Sequence, residues 1–395
     1  MAFNTAIAAV GAALVAAAGV QAEWNVVTND IALAMGVAAT DAGKIIMTGS
    51  VDNQGADIFK STDGGATWEL MPHDQQMLYM SCETNDGVEA IAGSLGFYGQ
   101  VAVSSITHDG EVFEAINYKP LFSSAQSVES IGNQTYFIVG FWMDRWNSTP
   151  GDGVMASFDA GETVQFFPWN QTYPARYGAF PTASTWFISG GTWASSEART
   201  MENLMRRREL NERFVITTEK PGKRFDWEYR GRQAPPTGVR DARTPGYEGI
   251  IGRTTDGGRT FELVYADSGR FYFNGIDCID TQRCWAVAEG PEGGWILATA
   301  DGGNTWTEQY FHATGGFFMV RMLNEQEGWA VGGIYKENTF DALFVHTTDG
   351  GATWTADPLI PNAVANYLEV VSSTTAYATA FLRVGGSSLL AYTGA

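Results

Sequence analysis

The chain has 395 residues, 45% hydrophobic and 13% aromatic, with 46 glycines and a formal charge of −20. So acidic a chain excludes nucleic acid and anionic membrane surfaces as main partners, because both repel it. Its length permits two or three domains on size alone, but repeats absorb nearly all of it into one.

Ala6 to Val20 form an apolar, alanine-rich run, and Val20-Gln21-Ala22 ends in a small residue suited to signal peptidase. Residues 1–22 therefore read as a signal peptide. The alternative is an uncleaved anchor, for which about 20 apolar residues are normally needed. Glu23-Trp24-Asn25-Val26-Val27-Thr28 then reads as a lone strand.

Ser61-Thr62-Asp63-Gly64-Gly65-Ala66-Thr67-Trp68 is the first copy of a phrase that returns at Thr254 to Phe261, Thr299 to Trp306 and Thr347 to Trp354. Degenerate copies run from Ser157 to Val164, keeping Asp159, and around Asp109. The phrase predicts a tight turn: the Asp accepts hydrogen bonds from turn amides, Gly supplies φ > 0, and the aromatic residue opens the next strand as a buried anchor. Asp63, Asp159, Asp256, Asp301 and Asp349 are thus structural rather than catalytic.

Successive aspartates, with Asp109 included, lie 46, 50, 97, 45 and 48 residues apart. A period in the forties is one four-stranded propeller blade. An aromatic-small-apolar-small strand precedes each box, clearest at Cys284-Trp285-Ala286-Val287-Ala288 and Gly328-Trp329-Ala330-Val331-Gly332. These units predict an all-β, seven-bladed propeller, its blades beginning near residues 34, 78, 124, 177, 269, 316 and 366. The last unit lacks a fourth strand, which Glu23 to Thr28 supplies, closing the ring and removing two open edges.

The long interval holds a basic insertion, residues 197–246, in blade four. Arg199 to Arg243 carry 12 Lys/Arg against 7 Asp/Glu. Ser196 to Phe214 predict a helix and the proline-rich remainder a loop. Arg206, Arg207, Arg208 and Arg224 are the candidate binding residues for an acidic partner; the alternative is a solvated decoration.

Asn133, Asn147 and Asn170 head glycosylation sequons. Cys278 and Cys284 sit across a short turn where a disulfide fits, or else remain two buried thiols; Cys82 is placed at the position equivalent to Cys278. The four histidines show no metal-ligand spacing, no nucleophile elbow is present, and neither metal nor cofactor is expected.

The box is that of sialidase-type repeats, yet the early strands hold no Arg before Arg145, unlike a sialidase. Its pairing with the Gly328 to Gly332 strand resembles the photosystem II stability/assembly factor family, over most of the chain from Trp24 to Thr393. That resemblance implies a non-enzymatic, seven-bladed lumenal protein that holds a membrane-protein partner during assembly. The reading is a monomeric binding propeller for a protein or glycan partner, secreted or, alternatively, in the thylakoid lumen. The rival is a glycoside hydrolase with a dispersed carboxylate pair.

Overall fold

The computed structural model describes residues 23–40, 43–50, 56–74, 78–85, 88–94, 103–108, 114–117, 124–132, 135–141, 152–159, 163, 165–193, 243–336, 339–382 and 386–394. They form a β-propeller of seven antiparallel sheets, numbered here in chain order of their first strands. Those first strands are Leu33–Ala39, Leu78–Asn85, Ser124–Gly132, Ala175–Ala179, Tyr272–Cys278, Gly315–Met322 and Ala363–Ser372. Each packs against the first strand of the next sheet, and that of sheet seven packs against that of sheet one. Among the described residues no helix is long and apolar enough to cross a membrane. The predicted helix from Ser196 to Phe214 lies outside the described residues, as do residues 1–22, Asp109, Asn133 and Asn147.

Burial falls from the inside of each sheet outward. In sheet five the second strand Cys284–Gly290 and third strand Gly293–Thr299 are almost wholly buried, whereas the fourth, Thr307–His312, is half-buried. Neighbouring sheets cover both faces of the inner strands, which explains why they read as continuous apolar runs without polar alternation. Crowding also selects glycine: a Cβ on Gly36 would come within 2.8 Å of the Ser81 Cα on the adjacent first strand.

Sheet seven takes its outer strand from the other end of the chain. Glu23–Ile31 pairs with Ser387–Thr393, in register from Glu23 opposite Thr393 to Val26 opposite Leu390, with a bulge before Thr28 opposite Leu389. Trp24 stacks on Phe344 of sheet six, and its indole Nε1 donates to Asp357 Oδ2 at 3.2 Å. His346 Nδ1 lies 3.1 Å from Asp357 Oδ1, and this hydrogen bond holds the His346 pKa above its ordinary value despite partial burial.

The recurring turn is built alike in four copies. In the first, Ser61 Oγ donates to Asp63 Oδ1 (2.9 Å) and accepts from the Gly65 amide (2.8 Å). Thr67 donates its amide to Asp63 Oδ1 (2.8 Å) and its hydroxyl to Oδ2 (2.6 Å). Asp256, Asp301 and Asp349 repeat the set, and Asp159 keeps the contacts to Ser157 and Thr163. Gly65 adopts φ 88°, where a side chain would be strained. The preceding glycine amide bonds the turn between strands one and two of its sheet, as from Gly350 to Gln326 O at 2.8 Å.

Two expectations are corrected. The box aromatic residue lies one residue ahead of the fourth strand in sheets one, four, five and six, and only Trp354 is fully buried; Trp68, Phe261 and Trp306 are half-buried. Cys278 and Cys284 form a disulfide, but Cys82 is not the counterpart of Cys278. The pairing registers put Cys82 opposite Ile91, level with Ile276 opposite Ala286, two residues earlier along the strand.

Candidate functional site

All seven first strands carry a register shift after their first one to three pairs, leaving Met35, Met80, Gln126, Arg176, Asn274, Phe318 and Asn366 as the extra residues. A bulge re-aims side chains locally. Three of these residues bond the next first strand or its bulge: Asn366 Nδ2 to Met35 O (2.9 Å), Asn274 Nδ2 to Phe317 O (3.0 Å), and Arg176 Nη2 to Asn274 Oδ1 (3.4 Å). The bulges thus form one ring around the propeller axis.

Arg176 is set apart within that ring. Its guanidinium carbon lies 5.0 Å from the Trp193 ring, 5.0 Å from Tyr272 and 6.0 Å from Tyr177, an aromatic cage that favours a cation. Its Nε is buried without a hydrogen-bond partner, and no carboxylate pairs with it among the described residues. Beside it, Glu289 accepts from the Tyr272 hydroxyl and, at 2.9 Å, from Tyr335. Glu289 is only 2% exposed, so this carboxylate is occupied and shielded. Trp193 is the last described residue before the basic insertion, and Arg243, the next described residue, is held by Asp267 Oδ1 at 2.7 Å. The insertion therefore leaves the fold at the Arg176 cage.

Three residues past the bulges lies a second ring: Ala38, Glu83, Glu129, Ala179, Asp277, Arg321 and Glu369. Arg321 of sheet six reaches Glu129 of sheet three at 3.2 Å, bridging sheets on opposite sides of the axis, and lies 3.8 Å from Asp277 of sheet five. These side chains are 12%, 15% and 16% exposed respectively. Burial pushes Glu129 up to about 8, against the pull of Arg321 and with the push of Asp277 and Glu83. Burial raises Asp277 and Glu369 in the same direction.

This ring brings together the convergent carboxylates that a dispersed hydrolytic pair requires, and sequence reasoning named none of them. The signal available was an acid five or six residues after the start of four first strands. Chemically, however, the Arg321 guanidinium occupies the space between Glu129 and Asp277, where a scissile bond would have to lie.

Arg206, Arg207, Arg208 and Arg224 lie outside the described residues, so the structure does not position them. Asn170 is exposed in the turn ahead of sheet four. The five box aspartates sit at the opposite end of the sheets from Arg176, and none reaches either ring.

No family model matches the chain, and no curated protein does. Solved structures do. YCF48 bound to D1 peptide superposes with a TM-score of 0.55 at 13% identity, covering 95% of each chain. YCF48 from Cyanidioschyzon merolae gives 0.56 at 13% identity, over 94% of this chain and 98% of that one. The GH74 xyloglucanase from Xanthomonas campestris gives 0.56 at 12% identity, over 94% of this chain but 53% of the enzyme. Identities this low carry the β-propeller fold and not an activity.

Proposed function

We propose that the chain is a seven-bladed, Asp-box propeller of the secretory or lumenal route, similar to photosystem II assembly factors. Its work is to bind a protein partner without catalysis, taking an acidic segment of that partner at the Arg176 end of the axis. The observation that carries this reading is Arg176 itself, a caged guanidinium whose Nε has no partner beside the exit of a basic insertion. Such a group offers charge-assisted hydrogen bonds to a carboxylate at little further desolvation. Arg206, Arg207, Arg208 and Arg224, in the insertion that follows Trp193 in sequence, are proposed to add positive charge for the same partner. That a neighbour of this fold holds the D1 peptide supports a peptide ligand.

The test is affinity capture from the native source, then calorimetry with the captured partner's acidic segment and the Arg176→Gln variant. A charged hydrogen bond contributes about 1.5–3 kcal/mol, so a loss of roughly 10- to 150-fold is expected. Unchanged affinity would remove Arg176 from the interface.

The second reading, a glycoside hydrolase, is favoured by one observation: Glu129, raised to about 8, stands near Asp277 as an acid would near its partner. Turnover of any neutral or acidic oligosaccharide that Glu129→Gln abolishes would establish it. The binding reading expects none.

A further inference from the structure

The ring that holds Arg321 contains more negative charge than its own cation can neutralise. Among the described residues, Glu129, Asp277 and Glu369 face the Arg321 guanidinium and Glu83 lies near it, while sheets one and four contribute only the methyl groups of Ala38 and Ala179. The remaining titratable groups facing the cluster are Tyr367 and Cys82, and neither can carry positive charge. The Tyr367 hydroxyl is buried beside Arg321, Glu83 and Ser81. Among those residues no three of His, Cys, Asp and Glu are grouped to hold a metal ion. Carboxylates buried around one guanidinium do not all ionise readily, and a proton neutralises one of them at little cost.

We propose that the cluster across the axis is a proton-binding latch: one or more protons are retained near neutral pH, chiefly on Glu129 and Glu369, and their release to solvent on alkalinisation loosens the ring. Each release converts a carboxyl to a carboxylate and gives one proton to water. The repulsion then acts between first strands of sheets two, three, five and seven, with Arg321 of sheet six as the counter-charge among the described residues of the ring.

The linkage has a definite sign. A carboxyl raised in the folded state binds more protons than in the unfolded chain between its ordinary value of 4.5 and about 8, so stability falls as pH rises through that window. Thermal unfolding of the wild-type protein should follow this course. Glu129→Gln and Glu369→Gln each place a neutral amide where the protonated carboxyl stood. Each should flatten the dependence and unfold at a higher temperature than wild type above pH 8. Variants that keep the wild-type slope overturn the proposal.

Should the variants fail to fold, proton exchange on wild-type side chains in the ring decides the matter. Denaturant unfolding near pH 7 in weakly buffered solution, in a His346→Gln background that removes the other raised group, should release about one proton or more per chain. No release, or uptake, contradicts the latch.

Discussion

At the residue scale the box aspartates and the ring carboxylates are shifted in opposite directions by opposite causes. The Thr260 hydroxyl and amide, with Thr254, hold Asp256 down to about 2, and the equivalent donors of each box lower Asp63, Asp159, Asp301 and Asp349. A carboxylate depressed on folding contributes stability above 3.8, its unfolded value, and loses it as pH falls through the folded value. Acid unfolding should therefore begin earlier in an Asp349→Asn, Asp301→Asn double variant, as circular dichroism would record; coincident acid curves would contradict the role given to these turns. Asp349→Ala should also lower the melting temperature more than Asp109→Ala, whose copy of the box lacks the second glycine and the threonine. The box was legible in the sequence because its hydrogen bonds close within eight residues. Arg176, Glu129, Asp277 and Arg321 were not, since their proximity depends on a bulge whose extra residue is Met, Gln, Arg, Asn or Phe and leaves no common signature.

At the scale of elements, the seam between sheets six and seven determines whether the propeller closes. Glu23–Ile31 covers the free edge of Ser387–Thr393 and adds the Trp24, Asp357 and His346 contacts. Removing residues 23–28 exposes that edge, so the truncated chain should melt earlier or aggregate, while equal melting would refute the closure. His346 gives the seam a pH dependence of its own: its pKa is raised on folding, so the stability it adds is complete below 6.5 and is lost as pH rises through the folded value. His346→Gln should remove that part of the pH profile while leaving the part due to Glu129. The N-terminal strand could be read from sequence because the last repeat lacks a fourth strand and the first residues supply one. The misplacement of Cys82 shows the limit of such counting: turns of different length between strands one and two shift the alignment by two.

For the molecule as a whole, the two rings divide the axis into an end with an anion-receptive arginine and an interior sealed by acids around Arg321. Excising Arg199 to Arg243 and joining the ends with a short Gly-Ser turn should leave the propeller folded, because strands two and three of sheet four pair fully from Trp186 opposite Thr254 to Thr192 opposite Glu248. If Arg206, Arg207, Arg208 and Arg224 assist binding, the excised protein should bind more weakly and lose salt dependence, exposed charges being screened over ~8 Å at physiological ionic strength. Unchanged salt dependence would make the insertion a decoration.

The central claim is that the partner docks at the Arg176 end of the axis, and site-specific photo-crosslinking tests it most directly. A photoreactive side chain at Thr244, beside the insertion exit, is compared with one at Leu263, which is 49% exposed on the outer strand of the same sheet. Crosslinking to the captured partner from position 244, reduced by Arg176→Gln and absent from position 263, is the predicted result. Crosslinking from position 263 alone, or equally from both, would contradict it.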